Sequence, residues 1–232
     1  MNTKPDAWTL SPQLTVAPEL WRGLWHLFAF YPGALGYDHV TRKMFPTNGG
    51  LSIRSTSEGL AANFDGTGTN VKLGNPDGIT NGSQISVFAY LIPDVFGNDG
   101  SIFRSAGNVD SAFDLDFNNG SELRWFTNDI IGARNSTLAK DLSAFSTGVP
   151  VAVGATLGDS GNKLYINGRV EDSSPDTTRN TATDPIYIGS EGTADYLDGA
   201  VLILAVWDYD LRPADMLKLF NDPFLMLRPA GF

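Results

Sequence analysis

The residues best suited to chemistry lie in the run Phe113-Asp114-Leu115-Asp116-Phe117, whose alternation turns Asp114 and Asp116 toward one side of a strand. Two carboxyl groups about 5 Å apart, one a nucleophile and one an acid, are what retaining glycoside hydrolysis requires. The competing reading is an amphipathic strand with Phe113, Leu115 and Phe117 in the core and two aspartates on a solvated face, and that is the expectation. Carboxylates can also accept hydrogen bonds from sugar hydroxyls above an aromatic ring. The rings in question are Trp125, Tyr196 and Tyr209, with Asp114, Asp116, Asn128 and Asp195 as acceptors. Trp125 alternates with Leu123 and is expected in the core, so Asp195 and Tyr196, in a loop-like stretch, are the better exposed pair.

Other chemistries find little support. His26 and His39 have no carboxylate or cysteine at metal-ligand spacing, and His26, close to Trp25 and Phe28, reads as a packed residue. The chain has no cysteine, which excludes disulfides and thiolate metal sites. It has no nucleophile elbow, phosphate loop or dinucleotide fingerprint, so no cofactor is expected.

The elements that must position these side chains are short strands. Asn167-Gly168 suits a turn with two positive φ angles, closing a hairpin between Lys163–Ile166 and Arg169–Asp172. Ile186, Tyr187 and Ile188 form a strand stopped by Gly189. Asp198-Gly199 leads into the apolar run Ala200–Trp207, which must be buried on both faces. Pro213 then opens a short helix with Met216, Leu217 and Phe220 on one side. The 25 glycines and 13 prolines, with turn clusters between alternating runs, point to a single all-β unit.

This succession resembles the concanavalin A-like, laminin G-like jelly-roll family. The resemblance rests on Leu164-Tyr165-Ile166-Asn167-Gly168, the Ile188-Gly189-Ser190 strand end, the Asp198-Gly199 bend, the last long strand and the small helix. Upstream, Gly59–Gly66 ends in Phe-Asp-Gly and Ser83–Leu91 is similar to the long strand that follows. The implied fold is a two-sheet antiparallel jelly-roll β-sandwich with one short C-terminal helix. It divides the chain into an extended arm at 1–19, a sandwich at 20–224 and a tail at 225–232. Glucanases of this fold carry Glu-x-Asp-x-x-Glu, whereas here the third position is Asn119 and neither acid is a glutamate, so the resemblance implies no enzyme. A structural calcium is common in the superfamily, and Asp65 is the best candidate ligand, with turn-making by Asp65-Gly66 as its alternative. Apolar Leu202 and Ile203 replace a frequent acidic position, and no metal is expected.

A net charge of −10 disfavours nucleic acid and anionic membranes. The first residues lack the apolar core of a signal peptide, and no run is long enough for membrane insertion. Asn221-Asp222-Pro223-Phe224-Leu225-Met226-Leu227-Arg228-Pro229 resembles the ending of jelly-roll proteins from phage genomes. Together these imply a tailed-phage virion protein, made in a host cytoplasm and exposed on the particle surface. Its expected role is capsid decoration, as a homo-oligomer or bound to a lattice of coat or other virion proteins. The rival expectation is a lectin-like module for cell-surface glycans. Proline-spaced Trp8, Leu10 and Leu14 read as an arm that wraps its own sandwich or reaches a partner. Phe224, Leu225, Leu227 and Phe232 face the same choice, while Trp21, Trp25 and Phe28 are expected to wrap their own sandwich.

Overall fold

The computed structural model describes residues 17–74, 84–105, 112–130, 133–177 and 185–227. Two antiparallel sheets face each other. The first holds β1 (Leu24–Ala29), β2 (Tyr37–Asp38), β3 (Lys43–Met44), β5 (Ser52–Thr56), β6 (Gly59–Asp65), β8 (Ile85–Pro93), β13 (Val151–Gly158), β14 (Gly161–Ile166), β15 (Arg169–Ser174) and β17 (Asp198–Trp207). The second holds β4 (Thr47–Asn48), β7 (Asn70–Gly74), β9 (Gly100–Ser105), β10 (Phe113–Phe117), β11 (Glu122–Ile130), β12 (Ala133–Asp141) and β16 (Ile186–Ile188). One helix, α1, spans Pro213–Asn221.

The apolar run before the helix behaves as its composition requires. Leu204 and Val206 enter the core between the sheets, while Ile203, Ala205 and Trp207 point outward beneath α1 and the tail. Its neighbour β8 divides in the same way, with Val87, Ala89 and Leu91 inward and Phe88 outward. The first sheet is therefore buried on both faces, and a purely alternating pattern could not have described it. On α1 the buried side is Met216 and Leu219, with Phe220 half-buried, whereas Leu217, expected beside Met216, is 47% exposed. Leu217 instead lies at the helix margin against the Asn167-Gly168 turn.

That turn has φ of 47° at Asn167 and 82° at Gly168, the two positive values a two-residue hairpin needs, and it joins β14 to β15 as expected. Two polar ties cross the packed layers. Trp125 Nε1 on β11 donates to Asn162 Oδ1 on β14 at 3.1 Å, linking the sheets through the core. Trp207 Nε1 donates to the Leu20 carbonyl at 2.7 Å, fixing the 3-10 turn Pro18–Trp21 to the first sheet. Trp125 is thus a core residue, as its alternation implied. Phe28 is also buried, with Trp25 packed against the same core and Trp21 against the outer cluster.

After β16 the chain turns at Gly189, whose φ of +84° leaves no place for an ordinary side chain. A Cβ there would lie 2.2 Å from two ring carbons of buried Phe64. Gly189→Ala is therefore expected to lower the unfolding free energy by about 2–4 kcal/mol, combining backbone strain with overpacking. Urea denaturation checks this, and a wild-type midpoint would contradict it.

Candidate functional site

On the second sheet β10 lies between β9 and β11, with Asp114 opposite Arg104 on one side and Phe126 on the other. Asp116 likewise sits between Ser101 and Arg124. Phe113, Leu115 and Phe117 enter the core, so the aspartates do share the outer face. That face is not solvated there. Asp114 is fully buried and Asp116 is 3% exposed, which corrects the expectation of two surface acids.

Two arginines and a returning stretch of chain explain the burial. Arg124 grips Asp116 with two parallel hydrogen bonds, Nε to Oδ1 at 2.9 Å and Nη2 to Oδ2 at 2.5 Å. Arg104 Nη1 contacts Asp114 Oδ2 at 2.9 Å and Asp195 Oδ2 at 3.2 Å, while its Nη2 contacts Glu191 Oε2 at 2.8 Å. Asp99 stands 3.8 Å from Arg124. Five carboxylates thus surround two guanidinium groups.

Residues 189–197 form a strap over this cluster. The Gly189 N–H donates to the Ile102 carbonyl, the Ser101 N–H donates to the Asp195 carbonyl at 2.9 Å, and Leu197 N–H closes back on Gly189 O at 3.0 Å. Tyr196 runs parallel to Ser101 as a single bridge, half-buried. Asp195 has a φ of 50°, the local conformation that turns its backbone toward β9 and its carboxylate toward Arg104. The structure therefore gathers Asp114, Asp116, Asp195 and Tyr196 in one region, although about 80 residues separate the two pairs.

Burial dominates the electrostatics. It pushes the Asp114 carboxyl well above the usual carboxylate range, helped by the neighbouring Asp116 charge and opposed by Arg104 and Arg124. Asp116 is also raised by burial, against the hydrogen bond and charge of Arg124. Glu191 is raised for the same first reason, with Arg104 opposing. Asp114 Oδ1 and Arg104 Nε have no hydrogen-bond partner among the described residues, so the lost hydration is incompletely replaced.

The remaining candidates are placed as follows. Asp65 is a turn-former: its Oδ1 accepts from the N–H groups of Thr67 and Gly68 at 2.9 and 3.1 Å and from Thr69 Oγ1 at 3.0 Å. These bonds, the Thr67 amide foremost, hold its pKa at about 2. His26 is buried as expected, yet it does have a carboxylate partner, because its Nδ1 lies 2.8 Å from Asp38 Oδ2. Asp38 also accepts from the amides of Leu27 and Val40, which makes it a structural bracket between β1 and β2. Phe224, Leu225 and Leu227 are half-buried over the outer face of their own first sheet, Phe224 edge-on to Tyr90 at 5.9 Å. Trp8, Leu10, Leu14 and Phe232 lie outside the described residues, as does the Asn128 side chain. Tyr209 lines a separate cleft between the 3-10 turn at Pro18–Trp21 and the start of α1.

Sequence reasoning missed both arginines. Arg124 was within reach, since Leu123 and Trp125 point inward and leave Arg124 outward. Arg104 was not, because a register shift opposite Leu115 and Asp116 breaks the alternation of β9.

Residues 65–216 match the family described as the concanavalin A-like lectin/glucanases superfamily, a laminin G type domain. The chain belongs to that superfamily. Among solved structures it is similar to the receptor-binding domain of a botulinum neurotoxin C/D mosaic serotype, at 16% identity and a TM-score of 0.67. That match covers 91% of this chain and 55% of the other. The binding domain of Paraclostridial Mosquitocidal Protein 1 matches at 15% identity and 0.67, covering 88% and 53%. A botulinum neurotoxin serotype G binding domain matches at 11% and 0.67, covering 84% and 50%. The chain spans about half the length of these proteins, and at such identities the likeness is one of fold. No curated protein matches the chain.

The buried network generates a pH dependence of defined sign. Asp114, Asp116 and Glu191 hold protons more tightly folded than unfolded, so stability falls as pH rises from the ordinary carboxylate value of about 4 through their raised values. Asp65 acts oppositely, losing its contribution as pH falls from about 4 toward 2. Asp114→Asn is expected to flatten the decline in Tm as pH rises above the ordinary carboxylate value of about 4 and to cost under about 1 kcal/mol, because Arg104 keeps Glu191 and Asp195. Arg104→Met strands three carboxylates and is expected to cost about 3 kcal/mol at neutral pH. Thermal melts across pH check both, and an Asp114→Asn profile as steep as wild type would contradict the assignment.

Proposed function

We propose that the chain is a non-catalytic, lectin-like recognition module. The observation that carries this reading is that each acid of Asp114 and Asp116 is paired with an arginine and buried beneath the strap. A glycosidase needs two carboxyls flanking an accessible bond. Here the same strand positions serve to hold the 189–197 segment on the sheet, leaving the sandwich as a rigid support for recognition. The receptor-binding and binding domains among its structural neighbours support the same class of task.

A second reading places the module on the surface of a tailed-phage particle, partnered by coat or other virion proteins. It is favoured by the Asn221–Pro229 ending, of which the described part packs onto the sandwich directly after α1. The two readings are compatible, since a particle-borne module can bind a cell-surface glycan.

Purified protein is expected to release no reducing ends from β-glucans, and Asp114→Asn and Asp116→Asn to leave that zero unchanged. It is expected to retain oligosaccharides on a glycan array. Hydrolysis abolished by either substitution would overturn the non-catalytic reading. Mass spectrometry of purified virions from a host making the protein tests the location: stoichiometric copies support it, and none would remove it.

A further inference from the structure

We infer that residues 190–196 form a charge-controlled latch, which lies on the second sheet while a carboxyl beside Arg104 carries a proton and lifts from it when all three are ionised. The inference is independent of the recognition-module reading, since it concerns how the strap moves and not what the protein binds. A lifted latch uncovers Arg104 and Asp114 on the outer face of β9 and β10.

The ends of the segment are fixed to the body and lie together. Ile188 and Leu197 are buried in the core between the sheets. Leu197 N–H donates to the Gly189 carbonyl at 3.0 Å, and the Leu197 carbonyl accepts from Gly66 N–H at 3.0 Å. The loop between them is folded on itself by Glu191 N–H to the Ala194 carbonyl at 3.1 Å and Gly192 N–H to Ser190 Oγ at 2.9 Å, so it can move as one body on a closed neck. None of residues 190–196 enters an apolar cluster among the described residues. What holds the loop down is polar: Ser101 N–H on the Asp195 carbonyl at 2.9 Å, Asn98 Nδ2 at 3.5 Å from the Tyr196 carbonyl, and Arg104 on Glu191 and Asp195. Gly192 rests on the Tyr187 ring, whose Cζ would lie 3.1 Å from a Cβ there. A segment attached in this way opens at a lower free energy than the strands around it.

The charges facing this contact come from every element around it. Arg104 stands on β9, Asp114 and Asp116 on β10, Arg124 on β11, Asp99 just before β9, and Glu191 and Asp195 on the latch itself. Lys72 of β7 lies 5.8 Å from the centre of the Tyr187 ring. Arg124 is engaged by Asp116, which leaves Arg104 to balance three carboxylates, one on a fixed strand and two on the latch. With all three ionised, the surplus negative charge is relieved when Glu191 and Asp195 move into water. Asp114 is fully buried and its Oδ1 has no partner among the described residues, so a proton there removes the least compensated charge, and opening hydrates it. Burial is the first cause that raises Asp114, with Asp116 adding to it and Arg104 and Arg124 opposing. Glu191 is raised by burial against Arg104. Groups raised in the closed state favour closure while protonated, so closure weakens as pH rises above the ordinary carboxylate value of about 4.

Amide hydrogen exchange of the intact protein, corrected for the intrinsic rate at each pH, tests the latch. The Ser101 amide loses its acceptor when Asp195 lifts, whereas the amides of β8, in the middle of the first sheet, report unfolding of the whole sandwich. As pH rises above about 4, protection of Ser101 relative to β8 is expected to fall by up to about tenfold per pH unit over the range in which Asp114 gives up its proton. The isosteric Asp114→Asn, which cannot ionise, should remove most of that fall. Arg104→Met should lower Ser101 protection relative to β8 roughly tenfold or more at neutral pH, which separates local opening from any loss of overall stability. Ser101 protection that follows β8 at every pH in wild type, a fall in Asp114→Asn as large as in wild type, or an unchanged ratio in Arg104→Met would each overturn the latch.

Discussion

Arg104 ties two consecutive strands to a stretch of chain far away in sequence: it joins Asp114 on the neighbouring strand to Glu191 and Asp195 on the strap. Removing a guanidinium and its carboxylates from water is costly, and Coulomb attraction restores that cost only when geometry and hydrogen bonding are nearly complete. Here they are not quite complete, because Asp114 Oδ1 and Arg104 Nε lack partners among the described residues. The cluster is consequently a locating device more than a source of stability. It specifies where residues 189–197 lie, and the covering of Asp114 on the outer face of the second sheet follows from that.

The two sheets solve burial differently. The first hides its outer face under α1, the 3-10 turn Pro18–Trp21 and the tail, by apolar contact pinned with a few polar ties such as Trp207 Nε1 to the Leu20 carbonyl. The second covers part of its outer face with charges matched across adjacent strands. The elements covering the first sheet leave a cleft between the 3-10 turn and the start of α1, whereas the charged cluster lies beneath the strap that its own side chains hold.

Much of the fold was legible because local signals carried it. Asn167-Gly168 announced its hairpin, Ala200–Trp207 announced a strand buried on both sides, and Trp125 followed from alternation with Leu123. The site was legible only in part. Alternation correctly placed Asp114 and Asp116 on one face, but whether that face meets water depends on residues 189–197 folding back, a long-range event with no local signature. Arg104 was hidden by the irregular register of β9, and Leu217 by the tolerance of a short helix for an apolar residue at its margin. His26 was read correctly as packed, yet its partner Asp38 lies on another strand and could not be paired from spacing.

Burial outweighs the arginines in setting the ionisation of the β10 acids. Carboxyl carbon NMR of selectively labelled aspartate, titrated from pH 3 to about 9, addresses it directly. Asp114 and Asp116 are expected to titrate above the ordinary carboxylate range, with the amide signals of Gly192 and Asp195 moving in the same steps. Midpoints at or below the ordinary value near 4, with a strap that does not respond, would contradict it.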